Sequence, residues 1–296
     1  MGFILAVGKF ESIHIGHRAL LRSTVHRAQE KGLKSAAMVF MPHPITVLGD
    51  SNYKPMFTET EREFLFTECG LDGVVVCQFD KDFAALSPGD FCKKLFCEYN
   101  AREIVVGENY RFGRNREGTV ETLRNEALKY GGEVFVFCLR ENSDGAAVST
   151  SLIRNLIAES RLPEAEQLLG FPFFAMGISK KGRQLGRILG FPTINIYPDE
   201  KKFLPQDGVY STKIVIQGEV LRGITNIGLR PTVNSGMERR SIETHILNMP
   251  GHFKKELYDE EVKVEFKKFI RPEQRFDSLD ELKMQIAIDI DYSIGL

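Results

Sequence analysis

At 296 residues, 43% apolar and 27% charged, the chain is long enough for two domains with separate cores. Its 39 Lys and Arg nearly balance 40 Asp and Glu, so no global field favours a nucleic acid or a membrane surface; a small anion held by local groups fits better. No apolar run nears the roughly 20 residues a spanning helix needs, and no basic leader precedes the short apolar start; the reading as a cytoplasmic protein comes from the unpaired cysteines.

The run Phe3 to Val7, bounded by Gly2 and Gly8, predicts a buried parallel strand. From Ala19 onward Leu21, Val25 and Ala28 predict a helix closed by Gly32. Between them stands Gly8-Lys9-Phe10-Glu11-Ser12-Ile13-His14-Ile15-Gly16-His17. His14 and His17 then share one side of the first helical turn, where free N–H groups and the positive end of the helix dipole receive anions. With Gly8 and Gly16 allowing close backbone approach, the pair reads as a nucleotide phosphate site; a capping or surface role is the alternative.

Further strands are predicted at Ala36 to Phe40, Val74 to Phe79, Ile104 to Val106 and Val134 to Cys138, with helices between them. Ser87-Pro88 supplies an N-cap and an N1 proline before Phe91, Leu95 and Phe96. Strand and helix in alternation imply a parallel sheet whose ligands gather beyond its C-terminal strand ends. The polar words Pro42-His43-Pro44, Gly107-Glu108-Asn109-Tyr110-Arg111-Phe112-Gly113 and Ser149-Thr150-Ser151 fall at those ends.

Proline and glycine between Leu162 and Phe174 mark the junction, giving domains at 1–170 and 171–296. Beyond it Val209 to Ile216 and Val220 to Thr225 flank Gln217-Gly218-Glu219 as a hairpin, and Ile242 to Leu247 and Val262 to Phe269 alternate as half-buried strands. This half reads as an antiparallel barrel ended by a helix from Ser278 to about Ile290, with Asn234 to Arg240 as a mobile loop. On a strand Thr193 and Asn195 face one way, so their oxygens can converge on a magnesium ion bound to phosphates. Glu243 and His245 share a face in the same manner, and a carboxylate beside an alcohol can take its proton during phosphoryl transfer. Residue types alone leave a structural role open for both pairs. The five cysteines, odd in number and without CxxC pairing, fit a reduced protein, and no metal cluster is evident.

Together these words resemble the prokaryotic bifunctional riboflavin kinase/FAD synthetases. The first half resembles their adenylyltransferase module, which opens on G-x-F-D-G-x-H-x-G-H. The second resembles their kinase module through Gly182-Arg183-Gln184-Leu185-Gly186-Arg187-Ile188-Leu189-Gly190-Phe191-Pro192-Thr193-Ile194-Asn195 and Leu204-Pro205-Gln206-Asp207-Gly208-Val209-Tyr210. Asn226-Ile227-Gly228-Leu229-Arg230-Pro231-Thr232, Glu243-Thr244-His245 and Arg271-Pro272-Glu273-Gln274-Arg275-Phe276 extend the match in family order over nearly the whole chain. The resemblance implies a Rossmann-like nucleotidylyltransferase domain followed by a riboflavin kinase β-barrel. It implies phosphorylation of riboflavin by ATP to FMN, then adenylylation of FMN by a second ATP to FAD and pyrophosphate.

By the same resemblance Glu243 is the kinase base, and Thr193 and Asn195 hold Mg²⁺. His14 and His17 stabilise ATP phosphates in the adenylyl step, beside Gly8, Phe10 and Gly16. Asn109 and Arg111 line the nucleotide and flavin site, and Ser149, Thr150, Ser151 and Arg154 hold phosphates. Gly182, Arg187, Gly190, Pro192 and Arg271 complete the ATP and flavin contacts. The partners implied are small molecules, with neither nucleic acid nor membrane, and the oligomeric state stays open. Two departures stand out: Glu11-Ser12 replaces the motif's Asp-Gly, and Asn248 stands where Asp is common. If the turn needs positive φ at Ser12, losing the glycine costs about 1 kcal/mol or shifts the loop. Rival readings are a kinase with a drifted first half, a flavin or nucleotide sensor without turnover, and a nucleotidylyltransferase for another acceptor.

Overall fold

The apolar run near the start of the chain forms β1 (Phe3–Val7), in which Ile4, Leu5 and Ala6 are wholly buried. The computed structural model describes residues 2–138, 148–181, 190–231, 238–251, 253 and 257–294. These fall into two compact units, Met1–Thr150 and Ser151–Leu296.

In the first unit β1 is followed by α1 (Ile15–Lys31), β2 (Lys34–Met41), α2 (Pro44–Leu48), α3 (Glu59–Glu68) and β3 (Gly73–Gln78). Then come α4 (Lys81–Ala84), α5 (Pro88–Lys93), β4 (Ala101–Gly107), α6 (Val120–Leu128) and β5 (Glu133–Phe137). The sheet is parallel throughout, ordered β3-β2-β1-β4-β5. Strand order reverses between β1 and β4, and a doubly wound sheet opens its ligand crevice at that point, beyond the carboxyl strand ends. The loops leaving Val7 and Gly107 start there. Leu5, Val7, Met38, Ile104 and Val106 join Phe91, Leu95 and Leu123 in one core cluster.

α1 begins at Ile15, ahead of the apolar spacing that predicts it from Ala19, because His14 caps it. Gly32 closes it at φ 62°, and Ser87 caps α5 by accepting the Asp90 N–H at 3.1 Å, both as the sequence predicts.

α7 (Thr150–Ala158), whose first residue closes the first unit, leads to α8 (Leu162–Leu169), β6 (Phe174–Ile178) and β7 (Thr193–Ile196). β8 (Gly208–Ile216), β9 (Glu219–Pro231), β10 (Glu238–Ile246), β11 (Glu261–Arg271) and a C-terminal helix (Leu279–Ile294) follow. The strands form one antiparallel sheet ordered β6-β11-β8-β9-β10-β7. It curls until its edges meet, where the Lys180 N–H donates to the Asn195 carbonyl at 2.7 Å. One face is sealed by a buried hydroxyl row, Thr212 to Thr225 at 2.8 Å and Thr225 to Thr244 at 2.9 Å, beside Ile194, Ile196 and Ile242.

Two expected loops are shorter. The β8–β9 turn uses only Gln217 and Gly218, at φ 50° and 81°, the positive pair that a two-residue type I′ turn needs, and Glu219 already pairs with Ile216. Of the expected loop Asn234 to Arg240, residues 234–237 lie outside the described residues, while Arg239 and Arg240 pair with Arg230 and Leu229 in β10.

The C-terminal helix covers part of the opposite sheet face. Ile290 packs with Val209, Ile224 and Leu247, and Arg271 grips Asp289 through Nε at 3.0 Å and a second guanidinium nitrogen at 2.7 Å. The Asp289 carboxylate is only 3% exposed, so Asp289→Ala strands a guanidinium and should cost about 3 kcal/mol. Urea unfolding with an unchanged midpoint would show that this pair does not hold the helix.

Candidate active sites

The β1–α1 loop is strained at two bulky, buried residues: Phe10 and Ile13 both stand at φ 44°. Such conformations cost about 1–3 kcal/mol each and persist where surrounding contacts over-determine them. Ser12 is not at positive φ, so the turn does not demand of it the conformation in which losing a glycine would be costly. A Cβ at Gly8 would sit 3.1 Å from the Phe10 ring, a tight contact that would make the ring give by a few tenths of an ångström.

His14 Nδ1 accepts the N–H groups of Gly16 (3.2 Å) and His17 (3.4 Å). That bond leaves the His14 proton on Nε2. The two imidazoles stack with centroids 3.9 Å apart and planes 20° apart, and Phe10 meets His17 edge-on at 5.4 Å. Burial pushes the His14 pKa down to about 4. Burial, and then the neighbouring His14, pushes His17 down to about 3. Both rings are therefore neutral near pH 7, offering N–H donors, while the helix terminus supplies the positive potential.

Glu11 accepts from the Tyr53 hydroxyl and the Met56 N–H, both at 2.8 Å, and its other oxygen lies 3.3 Å from His43 Nε2. The Pro42-His43-Pro44 word thus supports the loop, with Tyr53 stacked on His43 at 5.0 Å. Asn109 and Arg111 are exposed in the turn after β4, which Tyr110 closes by donating to the Gly107 carbonyl at 3.1 Å. Thr150 lies 2.9 Å from the Ser12 hydroxyl, and Ser149 and Ser151 on either side are exposed. In the second unit Arg154 lays its guanidinium over the Phe203 ring at 4.1 Å.

In the second unit the register brings the expected residues together: Glu243 lies opposite Asn195 and His245 opposite Thr193. Directly paired residues of an antiparallel ladder project on the same face, so the four form a 2 × 2 patch. His245 Nδ1 is 2.9 Å from the Pro192 carbonyl and its ring meets Phe191 edge-on, steadying the approach to Thr193. Gly190 takes φ 88°, a left-handed conformation suited to glycine. Gly182 and Arg187 lie outside the described residues. Arg271 is committed to Asp289.

Three residues of this face escaped the sequence reading as site residues. Arg230 reaches Glu243 at 3.3 Å and Glu273 at 3.0 Å, and Asn226, opposite Glu243 on β9, donates to Glu273 at 2.8 Å. Burial alone would lower the Arg230 pKa; the two carboxylates outweigh it and raise it. All three lie inside words that carried the family resemblance.

A doubly wound sheet with an imidazole-bearing helix start at its switch point, and a curled antiparallel sheet with Thr, Asn and Glu in register, define a two-domain nucleotide-handling protein. Residues 1–151 match the FAD synthetase family model and residues 169–294 the riboflavin kinase model. A bifunctional riboflavin kinase/FMN adenylyltransferase of Escherichia coli is 36% identical over 294 residues, covering 97% of this chain and 90% of that one. Its Bacillus subtilis namesake is 34% identical over 289 residues, with the same coverage. The chain belongs to the bifunctional riboflavin kinase/FMN adenylyltransferase family. A crystal structure titled as a macrolide-efflux protein from Streptococcus pneumoniae superposes with TM-score 0.83 at 29% identity, covering 100% of this chain and 95% of that one. In this chain no described helix is long and apolar enough to cross a membrane.

The histidine pKa values set a pH dependence. The unfolded chain protonates both rings below about pH 6.5, whereas the folded one resists until about 4 and 3, so stability falls as pH drops through that window. Replacing both rings by His14→Asn and His17→Gln should flatten the urea midpoint between pH 6.5 and 5 relative to the native protein. Identical slopes would show that the rings are not held neutral.

Proposed function

We propose that the chain phosphorylates riboflavin with ATP to FMN and then adenylylates FMN with a second ATP, giving FAD and pyrophosphate, in the cytoplasm. The observation that carries this reading is one candidate constellation in each unit, the stacked His14/His17 pair in the first and the Thr193, Asn195, Glu243 patch in the second. The adenylyl chemistry is assigned to residues 1–170 and the kinase chemistry to 171–296. Because both family models match, a kinase alone or a sensor without turnover is not favoured.

In the kinase step Glu243 takes the proton of the riboflavin 5′-hydroxyl as that oxygen bonds to the γ-phosphorus and ADP leaves. Arg230 Nε lies 3.3 Å from one oxygen of this carboxylate. Thr193 and Asn195, two positions apart on β7, offer neutral oxygens on one face, a donor set that fits a magnesium ion arriving with ATP. Bound there, Mg²⁺ would neutralise charge on the phosphate oxygens. Gly182, Arg187, Gly190 and Pro192 are assigned to ATP and flavin contacts on the resemblance alone.

In the adenylyl step an oxygen of the FMN phosphate attacks the α-phosphorus and pyrophosphate departs. His14 Nε2–H and His17 donate to the oxygens on which charge develops, and the start of α1 adds the positive end of its dipole. Asn109 and Arg111 contact nucleotide and flavin, and Ser149, Thr150, Ser151 and Arg154 the phosphates. Alignment and charge neutralisation supply the acceleration, with no covalent enzyme intermediate.

Purified protein given riboflavin, ATP and Mg²⁺ should form FMN and then FAD by chromatography; riboflavin left unchanged would refute the kinase assignment. Glu243→Gln should slow FMN formation by roughly 10²–10⁴. His17→Ala should block FAD formation from FMN while sparing FMN formation, and equal loss of both steps would argue against separate centres.

A further inference from the structure

Between the two strained residues of the β1–α1 loop stand two buried polar side chains, Glu11 at 5% and Ser12 at 0% exposure. Glu11 ties the loop to Tyr53 and Met56. Ser12 ties it to Thr150, hydroxyl to hydroxyl at 2.9 Å across 138 residues of sequence. These are the two positions at which the family motif reads Asp-Gly, and a glycine at 12 has no side chain with which to make the second bond. Thr150 is one of the hydroxyls assigned above to the nucleotide phosphates. A hydroxyl rotates freely until a partner fixes it, and a ligand that finds it already oriented avoids that ordering cost.

We propose that Ser12 is a positioning residue of the adenylyl site, its hydroxyl holding that of Thr150 in the orientation that receives a nucleotide phosphate. The inference rests on the adenylyl reading of this unit. Ser12 itself touches no reacting atom. It acts through Thr150, so the two side chains form one functional unit and removing either should remove the whole effect.

The test is a double-mutant cycle on the full-length protein, reading kcat/KM for FMN adenylylation. Ser12→Ala and Thr150→Ala should each lower it about tenfold, and the double variant should also lose about tenfold instead of about a hundredfold. Ser12→Thr, which keeps the hydroxyl, should stay within about threefold of the native protein. Riboflavin phosphorylation by the same samples should be unaltered. Multiplicative losses, full efficiency in Ser12→Ala, or a parallel loss of riboflavin phosphorylation would each overturn the proposal. Failure of the native protein to make FAD from FMN is a separate result: it would sink the adenylyl reading, and the role of Ser12 with it.

Discussion

The bond from the Gly16 and His17 N–H groups to His14 Nδ1 governs the first unit. It starts α1 ahead of the helix's apolar face, fixes the His14 proton on Nε2, and places His17 one turn on, where the rings stack. Two charged imidazoles at 3.9 Å would repel, and burial removes the difficulty by keeping both neutral. On the proposed reading, phosphate recognition here rests on ring N–H donors beside a helix terminus, not on imidazolium charge.

The second unit reaches the same end through register. A slip of one residue between β7 and β10 would turn Asn195 and Thr193 away from Glu243 and His245, and the buried Ile194, Ile196 and Ile242 on the opposite face forbid it. The C-terminal helix closes off the neighbouring part of the sheet through Asp289, and Arg230 sits between Glu243 and Glu273. Competition of two carboxylates for one guanidinium leaves Glu243 held, yet not exclusively.

What was legible in the sequence was local. The five parallel strands, the glycine closing α1, the Ser87 cap, and the facing of Thr193 with Asn195 and of Glu243 with His245 follow from periods of two and 3.6 residues and from turn chemistry. Long-range partners were not. Nothing in the spacing joins Ser12 to Thr150, Glu11 to Tyr53, or Arg271 to Asp289. Positive φ at Ser12 was a conditional expectation from the missing glycine; the loop takes it at Phe10 and Ile13, bulky residues whose spacing gives no sign of it. Arg230 and Glu273 stood inside recognisable words, but their pairing depends on the fold bringing the end of β11 beside β9.

The central claim is that the histidine pair meets the nucleotide as neutral donors. Nitrogen-15 NMR of histidine-labelled protein at pH 7, with and without a non-hydrolysable ATP analogue, tests it most directly. The account predicts a neutral His14 ring protonated at Nε2, a neutral His17 ring, and Nε2 signals of both that move when the analogue binds. An imidazolium spectrum in the free protein, or signals indifferent to the nucleotide, would contradict it.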